Sequence, residues 1–253
     1  MKETSMKNMS QVGLLILLVY SLLFAISVNS NTIAIECLAS DHEALLDFKS
    51  GLKDSHNSLS SWRSSNCCQW HGIYCDNITG AVVTIDLRNQ HPVSFDDPPR
   101  KYEMWNLSGE LRPSLMKLKS LRHLDLSFNT FKRISIPMFL GSLVNLQYLN
   151  LSNAGFDGLI PPHLGNLSHL QYLDLNGFSL HVENLKWLTG LVSLKHLAMD
   201  GVDLSSVART DWLSALNQLP CEAGGKMREQ KLLVKLPPNF IYSPRKRKIS
   251  IKP

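Results

Sequence analysis

Four of the five cysteines lie close together near the start of the chain, at Cys37, Cys67, Cys68 and Cys75. Clustered cysteines can ligate a metal ion or be oxidised to disulfides. A zinc site built from Cys68, His71 and Cys75 would have poor ligand spacing, so we expect no metal site and no cofactor. Two disulfides in an oxidising compartment are the better interpretation.

Four cysteines can pair in three ways. A bond between the adjacent Cys67 and Cys68 would be strained because disulfide geometry is narrow, which leaves two pairings. We favour Cys37–Cys67 with Cys68–Cys75, since the second bond closes a short local loop around Trp70. The longer bond closes about 30 residues and is expected to contribute roughly 3–4 kcal/mol.

Catalytic motifs are absent from the sequence. It contains no Gly-x-Ser-x-Gly, no His-Glu-x-x-His, no phosphate-binding glycine loop and no kinase motifs. The nine histidines are scattered without a partnered nucleophile. We therefore expect a protein that is not an enzyme and that acts by binding.

Polar and aromatic side chains of the types used in recognition recur at a fixed period. Exposed rings beside acids and amides suit the binding of a peptide or a sugar, because rings supply contact area at low entropy cost. The candidate ligand-binding residues are Arg122, His123, Asp125, Gln147, Tyr148, Gln171, Tyr172, Asp174, Lys195 and His196.

Four Asn-x-Ser/Thr sequences lie beyond the N-terminal apolar run, and in a secreted chain they are acceptors for N-linked glycans. One of them falls among the periodic residues, so a glycan there would cover part of the same surface. The four asparagines are Asn77, Asn106, Asn150 and Asn166.

An internal repeat positions these residues. The pattern L-x-x-L-x-L occurs in five registers, which begin at Val82, Leu121, Leu146, Leu170 and Leu194. Within it the alternation x-L-x-L has period 2, which predicts a short strand with its leucines on one side. One coil cannot bury its leucines alone, whereas stacked coils form a parallel sheet over a continuous leucine core. The residues between the leucines then face the open side of the sheet.

The N-terminus predicts a secretory signal peptide. Lys2 and Lys7 precede the apolar run Val12–Val28, and small and polar residues follow at Asn29–Asn31. An uncleaved anchor is the alternative. No other stretch of the sequence is long and apolar enough to cross a membrane.

The basic charge of the chain is concentrated at its end. The net charge is +5, yet residues 221–253 alone hold nine Lys and Arg against two Asp and Glu. We expect this segment to be a disordered, solvated tail. The positive charge therefore does not indicate a nucleic-acid partner.

The repeat and several segments around it carry a family resemblance. The full repeat, L-x-x-L-x-L-x-x-N-x-x-x-G-x-I-P-x-x-L-G-x-L, resembles the plant class of extracellular leucine-rich repeats. Residues 41–49, Leu59–Trp62 and the stretch from Cys67 to Cys75 resemble the plant N-terminal cap, and that family has the disulfide pairing favoured above. The insert 91–105 and the segments 107–110, 153–156 and 187–213 look like receptor-like proteins related to receptors for fungal xylanase elicitor.

The resemblance implies an α/β-type solenoid: a leucine-rich-repeat horseshoe with a parallel concave sheet and a disulfide-bonded helical N-terminal cap. A signal peptide at 1–30 would precede the cap at 31–79. About five repeats would occupy 80–220, with the insert at 91–105, and the basic tail would occupy 221–253.

The implied function is extracellular recognition in defence or development signalling, as a module of a receptor-like protein. Its partners would be a protein, peptide or glycan ligand and a co-receptor kinase. The chain would be secreted to the apoplast, whereas full-length relatives are anchored in the plasma membrane after many more repeats. We therefore expect a truncated, N-terminal fragment. The alternatives are a secreted inhibitor of a microbial cell-wall hydrolase and a non-functional gene fragment.

The sequence departs from the family pattern at the ninth repeat position. An asparagine there normally satisfies buried backbone groups in the bend, but only Asn129 occupies it. We expect other partners to serve the backbone where Gln90, Ala154, Phe178 and Val202 stand instead.

Overall fold

The computed structural model divides the chain into two units, residues 1–35 and 36–253. It describes residues 35–90 and 106–207, the backbone of 233–235, and two helical positions in the first unit, Gly13 and Ile16. The expectations for the signal peptide, the insert 91–105 and most of the tail lie outside the described residues. Within these residues, no helix combines the length and the apolar composition that a bilayer span requires.

The cap begins with helix α1, Ala39–Gly51. Its buried face consists of Ala44, Leu45 and Phe48, which are spaced for one side of a helix. Short strands β1, Leu52–Asp54, and β2, Ile73–Cys75, follow, with a 3₁₀ turn at Cys67–Gln69 between them.

Aromatic packing stabilises the cap itself, and one buried carboxylate joins it to the repeats. The rings of Trp62 and Trp70 stack with centroids 5.2 Å apart. Asp41 is buried, and its Oδ2 accepts a hydrogen bond of 2.9 Å from the backbone N–H of Val82 in the first repeat. A buried carboxylate with a backbone donor fixes the cap against the end of the solenoid.

The repeats form the predicted sheet. Its repeat strands are β3, Val82–Asp86; β5, His123–Asp125; β6, Tyr148–Asn150; β8, Tyr172–Asp174; and β10, His196–Ala198. Consecutive strands of this set pair in parallel, and β2 adds to β3 in antiparallel orientation. The central apolar residue of each repeat strand aligns with the next and is buried. The parallel solenoid sheet is thereby confirmed.

Two small sheets lie outside the main one. Strand β4, Leu107–Gly109, pairs with β1 in antiparallel orientation, and β7, Gly158–Leu159, pairs with β9, Leu180–His181, in parallel. The return segments carry 3₁₀ helices at Pro113–Lys117, Met138–Ser142, Pro162–Asn166 and Lys186–Gly190.

The glycine of the Leu-Gly-x-Leu return segment is required by close stacking of adjacent coils. A Cβ atom at Gly165 would lie 2.5 Å from the carbonyl oxygen of Trp187, which is closer than real contacts allow. Any side chain there would push the coils apart.

Asn129 performs the bridging expected of the ninth repeat position. Its side chain binds backbone groups of three segments, around Leu87, Leu107 and Leu126. In the next coil Ala154 has no such side chain, and its carbonyl oxygen instead accepts a bond of 2.7 Å from the N–H of Phe131. At this position a backbone bond between coils therefore replaces the missing asparagine.

One short segment of the tail differs from the disordered conformation that we expected. The backbone of β11, Leu233–Lys235, pairs in parallel with β10 and extends the main sheet to seven strands. In this register Val234 lies opposite Leu197. Lys231 replaces leucine at the first position of the pattern, which is why the sequence did not reveal this register.

Candidate functional site

Four rings form a continuous stack across the open face of the sheet. His123, Tyr148, Tyr172 and His196 stand in register on β5, β6, β8 and β10. Successive ring centroids are 4.0, 4.4 and 4.2 Å apart, with interplanar angles of 8°, 11° and 3°. We refer to these four residues as the aromatic ladder. The strand spacing of a sheet, about 4.8 Å, imposes this face-to-face arrangement.

The stacking changes what the rings can offer to a ligand. Tyr148 and Tyr172 each have a ring on both sides, so both of their faces are covered. A ligand on this surface meets ring edges, with their hydroxyl and imidazole groups. The two tyrosines are therefore suited to polar contacts and do not offer the open ring face on which a sugar would stack.

A buried polar network lies beside the ladder. Asp125 is 1% exposed, and its Oδ1 accepts bonds from the N–H and the hydroxyl of Ser127 at 2.9 and 2.6 Å. Its Oδ2 accepts from the Tyr148 hydroxyl and from Asn150 Nδ2, both at 3.3 Å. Asp125 thus orients the ladder and is not available to a ligand, contrary to our expectation for this residue.

Asn150 is part of the same network. Its Oδ1 accepts from the N–H and the hydroxyl of Ser152 at 3.0 and 2.7 Å, and Nδ2 donates to Asp125 and to the Tyr148 hydroxyl. The side chain is 9% exposed. The glycan expected at Asn150 is incompatible with this arrangement, because it would have to replace these bonds.

Sequence reasoning missed the serines of this network. Ser127 and Ser152 are buried and lie two positions after Asp125 and Asn150. Asn176 follows Asp174 in the same way and donates its N–H to Asp174 Oδ1 at 3.0 Å. The recurring pattern Asp/Asn-x-Ser/Asn was the signal for it, since a side chain that caps the backbone two residues later is a common local motif.

Burial shifts the titration of the ladder and of its neighbour Asp174. Loss of solvent lowers the pKa of His123 and of His196, so both imidazoles are held neutral. Burial also raises the pKa of Tyr148 and of Tyr172. The pKa of Asp174 is raised because its carboxylate is largely desolvated.

A row of polar residues runs beside the ladder, one position earlier in each coil. This outer row consists of Arg122, Gln147 and Lys195, which are exposed, and Gln171, which is half-buried. Lys195 Nζ donates to Gln171 Oε1 at 3.0 Å. Within the described residues, neither Arg122 nor Lys195 has a carboxylate oxygen within 4.0 Å. All ten candidate residues therefore lie on one surface, although Asp125 is enclosed within it.

Comparison with known proteins agrees with this geometry. Residues 38–76 match the leucine rich repeat N-terminal domain, and residues 120–143 and 145–167 match the Leucine Rich Repeat family. Receptor-like protein EIX1 of Solanum lycopersicum is 42% identical over 192 residues, which are 73% of this chain and 18% of that protein. The chain is a plant-type leucine-rich-repeat protein. It spans about a fifth of the length of its tomato relative.

Solved structures show the same repeat architecture. The BIR2 ectodomain from Arabidopsis thaliana superposes with a TM-score of 0.53 at 28% identity, over 65% of this chain and 81% of that one. The ectodomain of the Arabidopsis receptor kinase HAESA, solved with a peptide hormone ligand, gives a TM-score of 0.52 at 25% identity. That match covers 72% of this chain and 32% of that one.

In this leucine-rich-repeat protein the four clustered cysteines are structural. Cys37 is bonded to Cys67 and Cys68 to Cys75, with Cα–Cα distances of 5.3 and 5.5 Å. Their sulfur atoms are therefore not available to a metal ion. Among the other predicted glycan acceptors, Asn77 and Asn166 are exposed, while Asn106 is partly buried.

Replacing Asp174 with asparagine tests how far the desolvated carboxylate lowers the stability of the folded chain. Because the pKa is raised in the folded chain, the ionised group costs stability at neutral pH, and acid relieves that cost as the group protonates. D174N should therefore raise the melting temperature at pH 7, and its advantage should shrink as the pH falls towards the unfolded value of 3.8.

The control for D174N is D203N. Asp203 is exposed, and the Ser205 N–H lowers its pKa, so its ionised form is favoured in the folded chain. D203N should give no gain at pH 7. A gain in D203N equal to that in D174N, or a D174N advantage that grows in acid, would contradict the assignment.

Proposed function

We propose that the chain is an extracellular recognition module of a receptor-like protein, and that the aromatic ladder with its outer row is its binding surface. The module binds a ligand of the cell exterior and signals through partners, with a co-receptor kinase as the partner class. The supporting observation is the ladder itself: a preorganised row of polar ring edges on four adjacent strands, held by the buried Asp125.

Preorganisation is the physical reason for choosing this surface. Each ring is fixed by stacking on its neighbours, and Tyr148 is fixed further by its hydroxyl bond to Asp125. Side chains that are already ordered lose little entropy when a ligand binds. The two disulfides and the relation to plant receptor-like proteins favour a site that faces the cell exterior.

Selection from a random peptide library displayed on phage tests the proposal. The wild-type chain, immobilised with its disulfides intact, should enrich a family of peptides. The double variant Y148A/Y172A should bind those peptides at least ten-fold more weakly, because it removes the two central rings of the ladder and the hydroxyl contact to Asp125.

Two further variants separate binding from folding. F178A removes a ring that is 91% exposed and lies off the ladder, so it should bind as the wild type does. Y148F/Y172F keeps the ring stack, and with it the fold, and removes only the hydroxyls. Weaker peptide binding by this variant would therefore be due to the loss of the hydroxyls alone. Equal peptide binding by Y148A/Y172A and the wild type would place the site elsewhere.

A further inference from the structure

The exposed charges of the binding surface lie at its two ends. In the outer row Arg122 and Lys195 are cationic and exposed, whereas the residues between them, Gln147 and Gln171, are neutral. Next to each cation stands a histidine of the ladder, and next to each glutamine a tyrosine. The outer row therefore has a cation at each end and a neutral polar centre.

Within the described residues no carboxylate oxygen lies within 4.0 Å of either cation. Asp76 lies near Arg122, whose charge adds to the hydrogen bonds from Thr79 and Ile78 in lowering the pKa of Asp76, but the two do not form an ion pair. Asp125 is buried and accepts bonds at both oxygens. Asp86 is bound by Arg88 at 2.6 Å. Asp174 is partly buried and accepts the Asn176 N–H. Lys195 donates to the neutral Gln171 and has no ion pair among the described residues.

The separation of the two cations follows from the sheet. Arg122 precedes β5 and Lys195 precedes β10, and these strands are three steps apart in the order β5-β6-β8-β10. At about 4.8 Å a step, the cations stand roughly 14 Å apart. An extended peptide advances about 3.3 Å per residue, so side chains four residues apart span about 13 Å.

We infer that the ligand of this surface is an acidic peptide that crosses the coils in extended form, with carboxylates four residues apart meeting Arg122 and Lys195. The inference rests on the proposed function. Between the two ion pairs, Gln147 offers an amide that can both donate to and accept from a peptide backbone. An acidic glycan has matching charge, but both faces of Tyr148 and of Tyr172 are covered, so a sugar that lies between the two cations has no ring face to stack on.

Defined peptides test the inference. The probes are the labelled pentapeptide Glu-Ser-Gly-Ser-Glu, blocked at both ends, and its counterpart with glutamine in place of both glutamates. At low ionic strength, fluorescence anisotropy should show that the wild-type chain binds the acidic peptide at least ten-fold more tightly. This preference should disappear in R122Q/K195Q and weaken with added salt.

The control variant K119Q/K186Q removes two exposed positive charges away from the ladder and should keep the full preference. Equal binding of the two peptides by the wild type, or a preference that survives in R122Q/K195Q, would overturn the inference. Trigalacturonate that binds as tightly and with the same dependence on Arg122 and Lys195 would also overturn it, in favour of an acidic glycan.

The two proposals fail separately. If phage-selected peptides depend on Tyr148 and Tyr172 but carry no acid pair and bind R122Q/K195Q normally, the surface is the binding site and the acidic-peptide inference is wrong. If the selected peptides bind Y148A/Y172A as well as the wild type, the surface itself is not the site and both proposals fall.

Discussion

Replacing Asn129 with alanine is expected to lower the free energy of unfolding by at least about 3 kcal/mol, because several buried backbone groups would lose their partner together. Asn129 is 4% exposed. Its Oδ1 accepts from the Leu107 N–H at 2.9 Å, and its Nδ2 donates to the carbonyl oxygens of Leu87 and Leu126 at 2.8 and 2.9 Å. Urea unfolding followed by tryptophan fluorescence would measure the loss.

The matched control for N129A is N145A. The Asn145 side chain also donates to a backbone carbonyl, that of Lys119 at 2.8 Å, but it is exposed, and water can replace it. Its loss should cost less than about 1 kcal/mol. If N129A cost no more than N145A, the bridge between coils would not contribute to stability in the way that its geometry indicates.

The strands of the two kinds of sheet show which parts of the fold can be predicted from sequence. The repeat strands can be predicted from short-range spacing. The alternation around Leu124, Leu149 and Leu173 and the steady period are visible in the sequence without knowing how the coils contact one another. The small sheets could not be predicted in this way. Gly158–Leu159 becomes a strand only because Leu180–His181 of the next coil lies beside it, and that pairing depends on how the coils stack.

The same limit applies to the candidate site. Alternation correctly placed His123, Tyr148, Tyr172 and His196 on the open face. It also placed Asp125 there as a contact for ligand, whereas the structure encloses that carboxylate between Ser127 and the side chains of the adjacent strand. Period 2 gives the direction of a side chain from the sheet, but its exposure depends on neighbours contributed by other coils.

Charge on the outer row could be read from the sequence only in part. Arg122 and Lys195 are evident as basic residues, yet whether they are free to bind a ligand depends on which partners the acids around them have. Asp86 is paired with Arg88, and Asp125 is hydrogen-bonded within the interior. The cationic ends of the surface are thus a property of the folded arrangement.

The disulfides of the cap are expected to differ in their effect on stability. Replacing Cys37 and Cys67 with serine should lower the free energy of unfolding by roughly 3–4 kcal/mol, and replacing Cys68 and Cys75 by roughly 2–3 kcal/mol, because stabilisation grows with the length of the closed loop. The sequence separations are 30 and 7 residues. Trp62 and Trp70 are stacked within the cap, so unfolding of the cap contributes to the change in tryptophan fluorescence.

The order of the two effects distinguishes loop closure from local packing. Cys67 is buried, whereas Cys75 is partly exposed, so a serine at position 67 adds a polar group to the core and increases the first effect further. If the variant lacking Cys68–Cys75 were the less stable of the two, the short loop around Trp70 would matter more than chain entropy. In that case the cap would be stabilised chiefly by the hydrogen bonds from Trp62 Nε1 to the His71 carbonyl and from Trp70 Nε1 to Ser64 Oγ, both 2.9 Å, which that loop holds in place.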